Sequence, residues 1–126
     1  MACEDKMEGP PDPYHPIIDN PWHYRIAALS CVFPEDGSES YLDLTLVRGE
    51  VQRRLRFWSP RDIEIERGFP SQSLGMVIYD VRGRQLDGLG VWVDDDEAGW
   101  GKVTFWARAV VDLDEGPIAH RGIERP

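Results

Sequence analysis

The densest array of groups able to do chemistry is the run Asp94-Asp95-Asp96-Glu97, with Asp87 on its approach. Carboxylate oxygens gathered at a turn can collect a hard cation, and an EF-hand loop is the best-defined way of doing so. Counted from Asp94, Gly99 falls at the sixth position, as such a loop requires, but Phe105 stands where the twelfth must supply a bidentate Glu. No helix pair flanks the run. A solvated turn, or an acidic patch for a basic partner, suits it better than a metal site. His15, His23 and His120 lack metal-ligand spacing.

Nucleophile patterns are equally bare. No G-x-S-x-G elbow occurs, and Ser73 has no placeable His and acid. Cys31 lies in an apolar run and reads as a core thiol; with Cys3 it makes neither a C-x-x-C pair nor a disulfide scaffold. The glycines at 83, 88, 90, 99 and 101 form no phosphate-cradling pattern and read as turns and bulges at strand ends. Acids from separate strand ends could still meet as a hydrolase pair, yet no spacing selects one. No catalytic residue, cofactor or metal ligand is assigned.

Residue types suited to a binding surface are more conspicuous. The chain has five Trp, at 22, 58, 92, 100 and 106. Large aromatics that a small core cannot absorb are typical interface anchors. Two sets follow. Trp92 and Trp100 flank Asp94, Asp95, Asp96 and Glu97, an apolar centre with an acidic rim; this is the preferred protein-binding surface. Arg54, Arg56 and Trp58 share one strand face and form the second candidate. Arg48, Arg53, Arg54, Arg56, Arg61 and Arg67 put six of the 14 basic residues within positions 48–67, whereas positions 87–115 hold eight acids against Lys102 and Arg108. The charge is thus polarised by segment. A PxxP spacing in Pro10–Pro16 lacks the basic neighbour such ligands often carry.

The elements that must position these residues read as strands. Residues 23–33 alternate with both faces rather apolar, the pattern of a central strand. Pro34–Ser38 is a turn. In Tyr41–Val47, Leu42, Leu44 and Leu46 point inward and Asp43 and Thr45 outward; in Val51–Trp58, Val51, Leu55 and Phe57 oppose Gln52, Arg54, Arg56 and Trp58. Gly49 joins the two as a hairpin. Ser59-Pro60 could cap a helix, but Ile63-Glu64-Ile65-Glu66 alternates with period two and predicts a short strand. Further strands are expected at 74–81, 89–93 and 102–113, with a polar turn at 94–99 and Val103, Phe105, Ala107, Ala109, Val111 and Leu113 in one register. The fold expected is mainly β: a compact antiparallel β-sandwich or partly open barrel of about seven short strands. It occupies residues 22–114, between a Pro-rich acidic tail at 1–21, which Ile17 and Ile18 could pin in part, and a flexible tail at 115–126.

The 126 residues fit one domain, and the formal charge of −9 with a pI near 4.7 disfavours nucleic acid and anionic membrane as partners. No signal peptide or spanning run is evident, which makes cytoplasm the expected compartment. The expected function is that of a non-catalytic protein-binding or accessory protein, for example a neutraliser of a basic protein. The alternatives are a small hydrolase built on carboxylates at strand ends and a structural subunit of a larger complex; homo-oligomerisation is compatible with any of them.

Overall fold

The cleanest period-two alternation lies in residues 41–58, and these form the middle of a sheet. In the computed structural model, which describes residues 12–69, 75–95 and 101–114, eight strands follow one another: β1 (Arg25–Val32), β2 (Tyr41–Arg48), β3 (Val51–Trp58), β4 (Arg61–Ile65), β5 (Met76–Asp80), β6 (Val91–Asp95), β7 (Val103–Ala107) and β8 (Ala109–Asp112). They make two four-stranded antiparallel sheets, ordered β1-β2-β3-β8 and β4-β7-β6-β5. The fold is a mainly β sandwich, and the sheets do not close into a barrel.

Alternation fills the space between the sheets. Leu42, Leu44 and Leu46 of β2 and Leu55 and Phe57 of β3 are fully buried. Ile78, Val91, Val93, Val103, Phe105 and Ala107 face them from the other sheet in one continuous core. Phe57 and Phe105 meet edge to face across the interior, with centroids 4.9 Å apart and planes at 87°, the arrangement the ring quadrupole favours. The β2–β3 hairpin turns in two residues, and Gly49 holds φ +60° at the first of them, where a type II′ turn needs glycine.

Three expectations are corrected by pairing. First, β1 is an edge strand, not a central one. Its register on β2 shifts between Ile26 and Ala28, leaving Ala27 unpaired. This bulge turns Ile26, Leu29 and Cys31 to the same side, opposite Leu46, Leu44 and Leu42. Apolar residues on both parities came from the bulge, not from two covered faces. Second, residues 102–113 are not one register. The chain leaves the second sheet after Ala107 and enters the first at Ala109; parity flips, and Val110 rather than Val111 is buried against Phe57. Third, Asp94 and Asp95 belong to β6, paired with Val77 and Met76, rather than to a polar turn. The segment after Ser59 is the expected strand, β4, and Ser59 at φ +52° swings the chain out of β3 toward the second sheet.

Residues 12–24, mostly assigned by composition to a tail, lie along the open edge of β5 and lead into β1. Asp80 N–H donates to the Pro13 carbonyl and His15 N–H to that of Ile78, each at 2.8 Å, so that Tyr14 bridges Tyr79. Ile18 and Tyr24 are buried in the core at 4% exposure each. Ile18 in the core and Ile17 packed against it thus act as the pins expected.

At the corner where β7 becomes β8, Arg108 N–H donates to the Trp58 carbonyl and Gly90 N–H to that of Ala107, at 2.8 and 2.9 Å. A Cβ on Gly90 would stand 2.5 Å from the Arg108 carbonyl oxygen, whereas one on Gly83 would meet nothing within 4 Å. Gly90→Ala is therefore expected to cost about 1–3 kcal/mol by forcing backbone apart, and Gly83→Ala to be neutral or stabilising by under about 1 kcal/mol. Urea unfolding of the two variants side by side checks this; equal midpoints would contradict the close approach.

Candidate functional site

On β5, β6 and β7 the inward positions are taken by Ile78, Val93 and Phe105, so the intervening side chains face away from the core. The register places Tyr79 opposite Trp92, Trp92 opposite Trp106, and Trp106 opposite Arg61. One stripe of large rings therefore crosses the sheet at right angles to its strands. Trp92 and Trp106 lie 4.5 Å apart, tilted at 34°. The N-terminal segment lengthens the stripe: Tyr14 stacks on Tyr79 at 5.6 Å, and Trp22 lies 5.3 Å from Tyr14. Tyr14 is 56% exposed; the other rings are partly exposed. At strand spacing, the run from Tyr14 to Trp106 covers about 14 Å.

Charged groups border the stripe. Asp94 sits on the same face two positions beyond Trp92, with the Lys102 ammonium 3.6 Å from its carboxylate. The Arg84 guanidinium is 5.9 Å from the centre of the Trp106 ring, and it also donates to Asp12 at 2.9 Å. Of the preferred sequence set, the fold thus brings Trp92 and Asp94 together on one face. Asp95 has the opposite parity, paired with Met76 toward the interior side. Asp96, Glu97 and Trp100 lie outside the described residues. Tyr14, Trp22, Tyr79 and Trp106 are the partners that sequence reasoning left out of the set. Parity alone marks Tyr79 and Trp106 as outward, but only the strand order makes them neighbours of Trp92.

The second candidate surface is engaged within the chain. On the outer face of the first sheet, Arg56 makes a two-pronged pair with Asp43 at 2.9 and 3.0 Å and lies 3.8 Å over the Tyr41 ring. Tyr41 and Trp58 meet edge to face at 5.5 Å. Arg54 holds Asp114 at 3.0 Å, and Arg53 pairs with Asp112. Pairing β3 with β8 thus sets the basic segment against part of the acidic one, and the charge separation read along the sequence is cancelled there in space. Trp58 Nε1 is covered and has no hydrogen-bond acceptor.

A hydrolase needs a carboxyl group raised toward neutrality to act as an acid. Among the described residues the carboxylates whose pKa is displaced, Asp36, Glu39 and Asp80, are lowered. Hydrogen bonds and charge from Arg82 hold Asp80 at about 2, and those from Arg108, with the Ser59 hydroxyl, lower Glu39. Among the described residues no group of three or more His, Cys, Asp or Glu is placed to hold a metal ion, and no helix is long and apolar enough to cross a membrane.

Sandwich and stripe define the class of molecule: a β-sandwich domain carrying an aromatic band on one outer sheet face. No family model, no curated protein and no solved structure matches the chain.

The band depends on the segment that carries Tyr14, and that segment contains a titratable joint. His15 Nδ1 accepts the Ile17 N–H at 3.0 Å, which it can do only unprotonated there. Burial lowers the imidazole from 6.5, Asp80 opposes the shift and Arg82 adds to it. A base lowered in the folded state is stabilising above its unfolded value; that contribution is lost as pH falls from about 6.5 toward the folded value, because the unfolded chain binds the proton first. Thermal stability is expected to fall over this interval. His15→Asn should flatten the fall while keeping an acceptor for Ile17 N–H, since Asn caps the same turn. Identical pH profiles for the two proteins would rule out His15 as the source.

Proposed function

We propose that this is a non-catalytic binding protein that engages a basic protein partner through the outer face of its second sheet. The observation that carries the proposal is the ring stripe Tyr14–Tyr79–Trp92–Trp106, partly exposed on a face the hydrophobic core does not use. Interface energy concentrates in a few Trp, Tyr and Arg side chains at the centre of a contact, and two adjacent Trp are the strongest such centre on this surface. The net charge of −9 favours approach by a cationic surface and Asp94 marks its near rim, so incoming Arg or Lys side chains could pack on ring faces as Arg84 approaches Trp106. The Arg54–Arg56–Trp58 stripe has less to offer a partner, because its guanidinium groups are already held by Asp114 and Asp43.

The test is capture of a partner from the native host at about 0.15 M salt, where general charge attraction beyond about 8 Å is screened. The captured protein is then titrated with variants. Trp92→Ala and Trp106→Ala should each weaken binding more than tenfold, the effect of a hot-spot residue contributing above about 1.4 kcal/mol. Asp94→Asn should slow association chiefly, and Arg54→Ala should leave affinity within about threefold. A partner held equally well by both Trp variants would refute the assignment of this face.

A further inference from the structure

Edge strands carry a row of backbone groups without neighbours, and soluble proteins normally blunt them with charge, proline or a covering segment. The second sheet is treated this way at β5, over which Pro13–His15 is laid. The outer edge of β1 has no such cover among the described residues. From Ile26 to Val32 it reads Ile-Ala-Ala-Leu-Ser-Cys-Val, with no charge and no proline. Ala27, Ala28 and Ser30 are exposed. Immediately after the strand, Phe33 is 62% exposed, the most exposed of the large apolar side chains described. The bulge at Ala27 roughens one end only; Ala28–Val32 keep unbroken pairing with β2 and are free to pair on their other side.

We propose that this edge is the contact between two copies of the chain, β1 running antiparallel to its counterpart so that the first sheets join into one of eight strands. A two-fold axis perpendicular to a continuous sheet must set a residue opposite itself. With Ser30 on the axis, Leu29 meets Cys31 of the second copy on the core side, and Ala28 meets Val32 on the outer side. The same register sends Arg25 of each copy toward Glu35 of the other. Both residues are exposed, and neither has an ion-pair partner among the described residues. Opposite charges at the two ends of a neutral strand are self-complementary in the antiparallel sense and repel in the parallel one. The net charge of −9 per chain opposes association at low salt, but at about 0.15 M it is screened beyond about 8 Å while the end pairs are not.

Sedimentation velocity of the full chain from about 1 to about 100 μM should show a reversible monomer–dimer equilibrium. Ser30→Lys, which apposes two cations on an exposed position, should abolish the dimer with the circular dichroism spectrum unchanged. Arg25→Glu should weaken the dimer at least tenfold, and adding Glu35→Arg should restore it. Ser30→Cys, in a chain with Cys3 and Cys31 changed to Ser, should give a disulfide-linked dimer on mild oxidation, because directly opposed Cα atoms fall within disulfide reach. A chain that stays monomeric at about 100 μM overturns the proposal. So does a folded Ser30→Lys variant that still dimerises, a double charge exchange that recovers nothing, or a Ser30→Cys chain that does not cross-link.

Discussion

Everything in this fold hangs on two neighbouring strands that change sheets at the same place. β3 passes into β4 through Ser59-Pro60, and β7 passes into β8 at Arg108, so an antiparallel ribbon bends through both layers. Sandwich corners are commonly made by strands that switch sheets. Here one carboxylate ties both bends, since Glu39 accepts from the Ser59 hydroxyl at 2.5 Å and twice from the Arg108 guanidinium, at 2.6 and 3.0 Å. The backbone bond from Arg108 to Trp58 keeps the ribbon paired at the fold. Gly90 lets the start of β6 come up beneath it. Phe57 and Phe105, one on each side of the bend, are thereby brought into edge-to-face contact at the centre of the core.

That bend also governs the electrostatics. By bringing β8 alongside β3, it sets Asp112 and Asp114 against Arg53 and Arg54, while the β2–β3 hairpin sets Asp43 against Arg56. Pairs as exposed as Arg54 with Asp114 contribute little to stability, on the order of 0–1 kcal/mol. Their consequence is one of distribution: on the outer face of the first sheet, Arg54 and Arg56 are held by Asp114 and Asp43. The outer face of the second sheet is different in kind. Its centre is rings, with Asp94–Lys102 and Asp12–Arg84 pairs at the margins.

The N-terminal segment links the core to the ring stripe. It covers the edge of β5, sinks Ile18 and Tyr24 into the core, and contributes Tyr14 to the ring stripe before the chain enters β1. Proline density argued against helix and central strand there; the segment carries one bridge at Tyr14 and a 3₁₀ turn at Pro21–His23. It is nonetheless ordered by two backbone hydrogen bonds at the open edge of β5. Among the described residues the β5 edge is covered and the outer edge of β1 is not, so the two edges differ as places where a further strand could add.

By itself the sequence determined which residues face the core wherever a strand keeps strict period two. Leu42, Leu44, Leu46, Leu55 and Phe57, the Gly49 hairpin and the strand nature of 61–65 were all legible, because side-chain parity and turn chemistry are local properties. It could not show where parity breaks. The bulge at Ala27 and the crossing at Arg108 each shift the inward set by one residue, and neither carries a local signal strong enough to oppose the alternation around it. Nor could it show which outward residues become neighbours. Trp92 was legible as outward, whereas its contacts with Tyr79 and Trp106 arise from pairing β6 with β5 and β7, which sets residues 13 and 14 positions away beside it. Tertiary structure alone decided them, because strand order follows from long-range burial of both sheets at once, and no window of sequence contains that constraint.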